Sequence, residues 1–319
     1  MAEPKVSEVE FVRLFRELGG APLARKLGCT TRKVFERRRS IEKRLGVTIE
    51  PPIQNLFHNP KAERVNYPQR KNLELRDGTV FVASDFHYWP GEPSVIHRAI
   101  IHLIKEIKPL GLIANGDVMD ASKVSRHPPI GWQDRPDLVE EVETAQNRLH
   151  EIRQALSRKA RTIWTLGNHD ARFETRLATV APEYAKISGV HLHDHFPLWE
   201  TAWSVWVNES VVIKHRFKGG IHAVHNNALW AGKTIITGHL HSAKVTPLSD
   251  YNGTRYGVDT GCVADVDHKA FIDYTEDNPK NWRSAFCVLT FVDGKLLCPE
   301  LVLKVDNDSV EFRGRIIRV

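Results

Sequence analysis

Five short polar motifs share one placement in this sequence, because each directly follows an apolar run. They are Asp85-Phe86-His87, Gly116-Asp117, Gly167-Asn168-His169-Asp170, His215 and Gly238-His239-Leu240-His241. Carboxylate oxygens, an amide oxygen and imidazole nitrogens, with no thiolate among them, suit Mn²⁺, Fe, Zn²⁺ or Co²⁺. The motifs therefore predict a site for divalent cations, and their residue types leave the identity of the metal open.

Residue spacing within two of the motifs favours side chains that point the same way. One residue separates Asp85 from His87, and one residue separates His239 from His241. Alternate side chains of an extended segment lie on the same face. In open α/β sheets, ligands bind in the crevice beyond the carboxyl ends of the strands. We therefore expect these motifs to gather at one edge of a sheet.

The elements that would position these motifs can be read from the apolar patterns. Strands are predicted at residues 79–84, 112–115, 162–166, 211–214 and 234–237. Helices are predicted at about 93–108, 136–158 and 221–231. Beyond residue 244 the pattern changes to hairpins, with turns at 251–253 and 292–294. Alternating strands and helices predict an α/β fold.

In order and spacing the motifs resemble those of the calcineurin-like metallophosphoesterases, which run D-x-H, G-D, G-N-H-[DE], H and G-H-x-H. The resemblance covers roughly residues 76–245 and implies an α/β fold of two facing mixed β-sheets flanked by helices. It implies that one metal is held by Asp85, His87, Asp117 and His241. It implies that the second metal is held by Asp117, Asn168, His215 and His239, with Asp117 bridging the two.

The same resemblance implies roles for the residues that follow Asn168. His169 would contact the phosphate or protonate the leaving group, and Asp170 would orient His169. Two cations about 3.5–4 Å apart lower the pKa of a shared water toward neutrality, which supplies a bridging hydroxide for in-line attack on phosphorus. A general acid accelerates departure of the alkoxide by roughly 10²–10⁴.

The sequence departs from the family pattern at the fourth motif. That motif usually reads His-Gly, whereas here it is His215-Arg216, and the nearby His222 and His225 compete for the role of ligand. His215 is favoured because it ends an apolar run, while the other two histidines fall in a predicted helix.

Two arginines near the motifs are candidates for binding the substrate phosphate. Arg126 lies in a long insertion between the second and third motifs, and Arg172 follows Asp170 closely. The alternative for Arg126 is a loop residue in a salt bridge, and for Arg172 it is packing around the metal site.

The positive charge of the chain is concentrated at its N-terminal end. Residues 1–71 hold 16 Lys and Arg against 8 Asp and Glu, and the rest of the chain holds 29 against 31. Residues 25–44 alone carry nine basic side chains. Such a block favours a polyanionic partner, because Lys and Arg release counterions from phosphates. The alternative is a solvated face of a helix.

Residues 1–50 are predicted to form three helices, as in a small all-α module. Gly28 would supply the turn before a basic helix at 32–45, the arrangement with which a helix-turn-helix enters the major groove. Arg32, Lys33, Arg37 and Arg38 are the candidate nucleic-acid contacts. The module could instead dock a protein.

Proline-rich residues 51–75 are predicted to be a linker, followed by the catalytic domain at 76–319. Four separated cysteines support neither a zinc–thiolate cluster nor a disulfide framework. No apolar run approaches the roughly 20 residues that span a bilayer. The first residues lack the pattern of a secretory signal, so we expect a cytoplasmic protein of a bacterium or a phage-infected host.

A basic module tethered to a phosphoesterase centre favours DNA as the substrate, because tethering raises the local substrate concentration. The arrangement is similar to phosphoesterases encoded by bacteriophages and prophages. We therefore expect a nuclease with two divalent metals, Mn²⁺ being the first choice. The alternative is a phosphomonoesterase acting on a phosphoprotein or a small metabolite, with the module as a docking element.

Overall fold

The computed structural model describes residues 6–52, 67–127, 132, 135–268, 271, 275, 278 and 280–319. The chain separates into two compact units, Met1–Ala62 and Glu63–Val319. Each unit has its own hydrophobic core.

In the first unit, three helices form where the sequence predicts them. They are α1 (Glu8–Leu18), α2 (Gly20–Leu27) and α3 (Thr31–Leu45). The Ser7 hydroxyl accepts from the N–H of Glu10 at the start of α1, and the Thr30 hydroxyl accepts from the N–H of Lys33 at the start of α3. Gly28 ends α2 with a φ of 63°, which a residue with a Cβ adopts only at a cost.

Aromatic and aliphatic side chains from all three helices form the core of this unit. Phe11, Phe15, Leu23, Val34 and Ile41 are almost fully buried. A Cβ on Gly20 would lie 2.5 Å from the ring of Phe35, so the glycine allows α2 to approach α3 closely.

The second unit carries helices on the outer faces of its two sheets. They are α4 (Val95–Ile107), α5 (Leu138–Ala155), α6 (Asp170–Val180), α7 (Leu192–His195) and α8 (Ala223–Ala231). Short 3₁₀ turns lie at Ser122–Val124 and Pro182–Lys186. Within the described part of the chain, none of the helices combines the length and apolar character that crossing a membrane requires.

The strands of the second unit pair into two mixed sheets. In chain order they are β1 (Lys71–Leu73), β2 (Gly78–Ala83), β3 (Gly111–Ala114), β4 (Arg161–Thr165), β5 (Glu200–Ala202), β6 (Val205–Val207), β7 (Val211–Ile213), β8 (Thr234–Thr237), β9 (Lys244–Asp250), β10 (Gly253–Asp259), β11 (Ala285–Val292), β12 (Lys295–Leu296), β13 (Glu300–Lys304), β14 (Ser309–Phe312) and β15 (Arg315–Arg318). One sheet has the order β1-β6-β7-β8-β10-β9, and the other has β15-β14-β13-β11-β2-β3-β4-β5, with β12 beside β11.

Alternation along the strands explains how the two sheets face each other. Val80 and Val82 of β2 pack with Val205, Ile213 and other side chains of the first sheet. Phe81 of β2 points the other way, into the core under α4 and α5. Because successive side chains of a strand alternate between faces, each central strand supports both layers. The predicted fold of two facing sheets flanked by helices is confirmed.

The sheet begins earlier than the predicted start of the catalytic domain at residue 76. β1 lies within the predicted linker and pairs in parallel with β6. Leu73 and Leu75 are buried in the core between the sheets, which explains why this stretch belongs to the folded second unit. Residues 53–66 of the predicted linker lie outside the described residues.

Candidate metal centre

The predicted ligands lie just beyond the carboxyl ends of five strands. Asp85 and His87 follow β2, Asp117 follows β3, Asn168 follows β4, His215 follows β7, and His239 and His241 follow β8. The strands β2, β3 and β4 are parallel neighbours, as are β7 and β8 in the facing sheet. Two facing sheets therefore deliver these side chains to one edge of the molecule.

The structure gathers the ligand atoms into two adjacent groups. Asp85, His87 and His241 form one group, and Asp117, His215 and His239 form the other, with the atoms of each group within 4.8 Å of one another. Nε2 of His241 lies 3.0 Å from Oδ1 of Asp85, and Nε2 of His215 lies 3.0 Å from Oδ2 of Asp117. Nε2 of His215 also lies 4.0 Å from Asp85 Oδ1, so the groups meet at His215.

Several buried atoms of this cluster make no hydrogen bond of acceptable geometry within the described part of the structure, although carboxylate oxygens lie 3.0–3.9 Å from three of them. They are both ring nitrogens of His87, Nε2 of His215 and Oδ1 of Asn168. Buried polar atoms are normally hydrogen-bonded, so orphaned atoms aimed into a shared space require another partner. Oxygen and imidazole donors in this arrangement fit divalent metal ions.

A hydrogen bond on the far side of the ring fixes how His215 points. Nδ1 of His215 lies 2.8 Å from the carbonyl oxygen of Asn115 and donates to it, which leaves Nε2 for a metal. His222 and His225 are exposed and belong to neither ligand group, so the structure places His215 at the centre rather than these two.

Five of the ligand residues have left-handed backbone. Their φ angles are 54° for Asp85, 39° for His87, 52° for Asp117, 72° for His239 and 56° for His241. The left-handed region costs roughly 1–2 kcal/mol for a residue with a Cβ. With these turns at the strand ends, the side chains of the five residues converge on the two ligand groups.

Three motif glycines leave room for the ligands themselves. A Cβ on Gly167 would lie 2.1 Å from Oδ1 of Asp117, and a Cβ on Gly238 would lie 2.5 Å from Oδ2 of Asp85. A Cβ on Gly116 would meet the ring of His215 at 2.4 Å. Any side chain at these positions would displace a ligand.

The carboxylates give the centre a strongly negative character. Burial lowers the pKa of His87, but Asp120, Asp85 and Asp117 oppose it and raise the pKa to about 10. Burial acts in the same sense on His215, and Asp117 and Asp85 raise its pKa to about 9. A site that raises histidine pKa values in this way favours cations. Protons would therefore compete with a metal ion for the same ring nitrogens.

Asp120 is a functional candidate that the sequence reasoning missed. Its Oδ1 lies 2.7 Å from Nδ1 of His169 and 3.4 Å from Nδ1 of His87. Its carbonyl oxygen accepts from Arg172, whose Nη2 lies 3.1 Å from Nε2 of His169. The spacing of Asp120, three residues after Asp117 in Gly-Asp-Val-Met-Asp, is the signal that could have found it.

Asp170 was predicted to orient His169, but its carboxylate binds other groups. The Asp170 carboxylate accepts from the N–H groups of Asp117, Val118 and Gly167 and from the indole of Trp164, at 2.8–2.9 Å. It therefore ties the loop after β3 to the loop after β4. Asp120 is the carboxylate that holds the His169 ring.

A cavity of about 870 Å³ opens beside the ligands. Arg172 lines it, as do Arg135 and Arg148 of the neighbouring loop and helix. Arg126, the other predicted phosphate contact, is exposed and is not among the lining residues. The cavity thus combines the metal ligands with cationic walls that suit a phosphate ester.

In the first unit, the four predicted nucleic-acid contacts divide by orientation. Arg32 and Lys33 are exposed on α3. Arg37 and Arg38 instead turn toward the core, where their guanidinium carbons lie 4.8 Å and 5.4 Å from the rings of Phe11 and Phe15. These two arginines make cation–π contacts with core rings, which stabilise the helices. Their role as nucleic-acid contacts stays a prediction.

The family follows from comparison with known proteins. A family model described as calcineurin-like phosphoesterase matches residues 78–260, which hold all seven predicted ligands. The chain belongs to the calcineurin-like phosphoesterases. It is accordingly a metal-dependent phosphoric ester hydrolase by family, and the clustered Asp and His side chains are its site for divalent metal.

Solved structures with a similar fold have low sequence identity to this chain. Vps29 from Entamoeba histolytica, complexed with zinc, is 17% identical, covers 76% of this chain and 98% of its own, and has a TM-score of 0.40. A novel archaeal phosphodiesterase is 15% identical, with coverages of 71% and 99% and a TM-score of 0.36. The nuclease MPE from Pseudomonas putida is 15% identical, with coverages of 69% and 86% and a TM-score of 0.31. A search of curated protein sequences returns no match.

Proposed function

We propose that this protein is a two-metal phosphodiesterase that cleaves DNA, and that Mn²⁺ is the metal it uses. The observation that carries the DNA assignment is the separate helical unit, in which α2 and α3 expose Arg25, Lys26, Arg32, Lys33 and further basic side chains. Exposed Lys and Arg in this density suit a phosphate backbone, because binding releases condensed counterions.

In this proposal the two ligand groups each hold one cation, with Asp117 shared. The cations would activate water and neutralise charge on the nonbridging oxygens when bound. The other steps fall to side chains of the protein. Arg172 binds the substrate phosphate, and His169 lies beside Arg172.

The contacts of His169 suit it for donating a proton to the leaving oxygen. Nδ1 donates to Asp120, so the ring presents Nε2 toward the cavity. Arg172 lies 3.1 Å from that nitrogen and would turn to the substrate phosphate. Nε2 could then carry the proton that the departing alkoxide needs.

The assignment is tested by giving the full chain and Mn²⁺ plasmid DNA, circular single-stranded DNA or p-nitrophenyl phosphate. We expect cleavage of DNA in at least one of its two forms, at a rate well above that of the monoester. If both DNAs stay intact while the monoester is hydrolysed, the DNA assignment is wrong and the phosphomonoesterase alternative takes its place.

The Asp117→Asn variant is the matched test of the metal centre. The substitution removes a carboxylate that is 1% exposed and contacts His215, so we expect loss of bound metal and of all phosphoesterase activity. Asp265→Asn removes the same charge from the wall of the same cavity, where Asp265 pairs with Lys304, and should leave both intact. Retained activity in Asp117→Asn would contradict the ligand assignment.

A further inference from the structure

Aromatic rings border the cavity directly beside the first ligand group. Trp282 packs against His241 with ring centroids 4.7 Å apart, and Phe271 packs against His87 at 5.4 Å. Phe271 and Trp282 contact each other at 5.7 Å. Trp89, which lies 5.9 Å from His268, lines the same cavity. We call Trp89, His268, Phe271 and Trp282 the aromatic wall.

The position of the aromatic wall is unusual for packing residues. None of its members belongs to the hydrophobic clusters of the described residues, which lie between the sheets, under the helices and in the first unit. The wall instead faces a space that it shares with carboxylates, imidazoles and arginines. A small number of polar groups beside apolar aromatic surface is typical of sites that enclose an organic ligand.

The chemistry of the two sides limits what that ligand can be. The metal ligands and Arg172 suit a phosphate, and the aromatic wall, whose Trp282 and Phe271 pack directly against His241 and His87, suits a flat ring beside that phosphate. A nucleotide carries a phosphate and a flat base in one molecule. The volume of about 870 Å³ lies in the usual range for small-ligand cavities, roughly 300–1,000 Å³.

We infer that the cavity takes an unpaired nucleotide, its base against Trp282 and Phe271, and that the substrate is therefore single-stranded or frayed DNA. This inference rests on the proposed function. A base in a duplex is paired and stacked, and bringing it to the wall costs the free energy of extruding it. In a single strand that cost is absent, and base–aromatic stacking favours binding with little sequence preference.

The first test compares a 20-nucleotide single strand with the same sequence as a duplex, using the full chain and Mn²⁺. We expect kcat/KM to be at least tenfold higher for the single strand. Equal or faster cleavage of the duplex overturns the inference while leaving the DNA assignment in place. No cleavage of either DNA, with turnover of p-nitrophenyl phosphate, overturns the proposed function itself.

The second test asks whether Trp282 acts through the base or only by supporting His241. Trp282→Ala should lower kcat/KM for the intact strand about tenfold (about 1.4 kcal/mol) and should have no effect on a strand with abasic sugars around the cleaved bond. Trp282→Phe should restore most of the loss. An equal loss on both strands means that Trp282 only supports the metal ligand, and the inference fails.

A binding measurement without metal completes the design. In EDTA, a thymidine dinucleotide should bind wild type about tenfold more tightly than it binds Trp282→Ala. Trp230 is 69% exposed on α8 and does not line the cavity, so Trp230→Ala should bind the dinucleotide as wild type does. Equal affinities for wild type and Trp282→Ala would overturn the stacking role.

Discussion

At the scale of single residues, the contacts of His169 define how the centre would handle a proton. Asp120 holds Nδ1 and Arg172 approaches Nε2, so both ring nitrogens have assigned partners before substrate arrives. Asp120 is a positioning residue in this arrangement, because it acts through His169.

We expect Asp120→Asn to lower kcat by about 10–100-fold while the bound metal stays at the wild-type level. Asparagine keeps the size of the side chain but loses the charge that fixes the imidazole. Turnover and metal content, measured by atomic emission on the same preparation, check this prediction. Asp265→Asn is the control, and loss of metal in Asp120→Asn would make Asp120 a ligand instead.

The residues of the two ligand groups could be predicted from the sequence because each directly follows an apolar strand. Asp120 was not, since its contact with His169 joins the loop after β3 to the loop after β4. The cation–π contacts of Arg37 and Arg38 were not anticipated from charge alone. Both lie three or four residues from Val34 and Ile41, which are buried, so helical spacing already placed them near the inward face.

At the scale of the elements, the turns after the strands have little room for change. Gly167 has ordinary backbone, yet a Cβ there would lie 2.1 Å from Asp117 Oδ1. Its requirement for glycine is therefore steric. The short strands β1, β5 and β6 were absent from the sequence prediction. β1 and β5 lack the apolar run that marked the equally short β7.

We expect Gly167→Ala to weaken metal binding by at least tenfold, because the methyl group displaces the Asp117 carboxylate. Titration of the metal-free protein with Mn²⁺, followed by calorimetry, checks this. Gly219 has open space around its would-be Cβ, so Gly219→Ala is the matched control. Identical Mn²⁺ affinities in the two variants would contradict the steric argument.

A buried histidine joins α4, α5 and the segment after β2. Nδ1 of His97 lies 2.8 Å from the Tyr88 hydroxyl, and Nε2 lies 2.8 Å from Oε2 of Glu151. Burial lowers the pKa of His97 to about 4, although Glu151 acts in the opposite direction. The unfolded chain, with a histidine pKa near about 6.5, therefore takes up this proton at higher pH than the folded protein does.

The contribution of His97 to the free energy of unfolding is complete above about pH 6.5 and is lost as the pH falls toward about 4. Between about pH 6.5 and about pH 4 we expect the free energy of unfolding to fall by up to about 1.4 kcal/mol per pH unit. Urea denaturation of wild type and His97→Gln from pH 7.5 to 4.5 should give a shallower decline for the variant. Exposed His102 on the same helix supplies the control, His102→Gln, and equal slopes for all three proteins would refute the assignment.

At the scale of the whole molecule, two separate units divide binding and chemistry in the proposed function. The order of strands and helices in the second unit followed from its apolar patterns, and the three helices of the first unit followed from capping residues and glycines. What the sequence could not supply was the aromatic wall, since Trp89 lies far along the chain from Phe271 and Trp282 and lines the same cavity only through tertiary structure.

Orientation within α3 gives a test of how the first unit binds DNA. Arg32→Ala and Lys33→Ala should each lower the slope of log K against log salt by about 1, because each side chain would contact one phosphate. Arg37→Ala should leave that slope unchanged and lower the free energy of unfolding by about 1 kcal/mol, through loss of the contact with Phe11. Gel shifts at rising salt and urea denaturation measure the two effects. A reduced slope in Arg37→Ala would mean that Arg37 contacts a DNA phosphate.

The left-handed backbone at Asp85, His87, Asp117, His239 and His241 has a consequence for how this protein tolerates change. Selection for thermal resilience alone would replace these residues by glycine, which adopts the same angles without penalty. A variant designed for stability alone would therefore lose candidate metal ligands at these five positions.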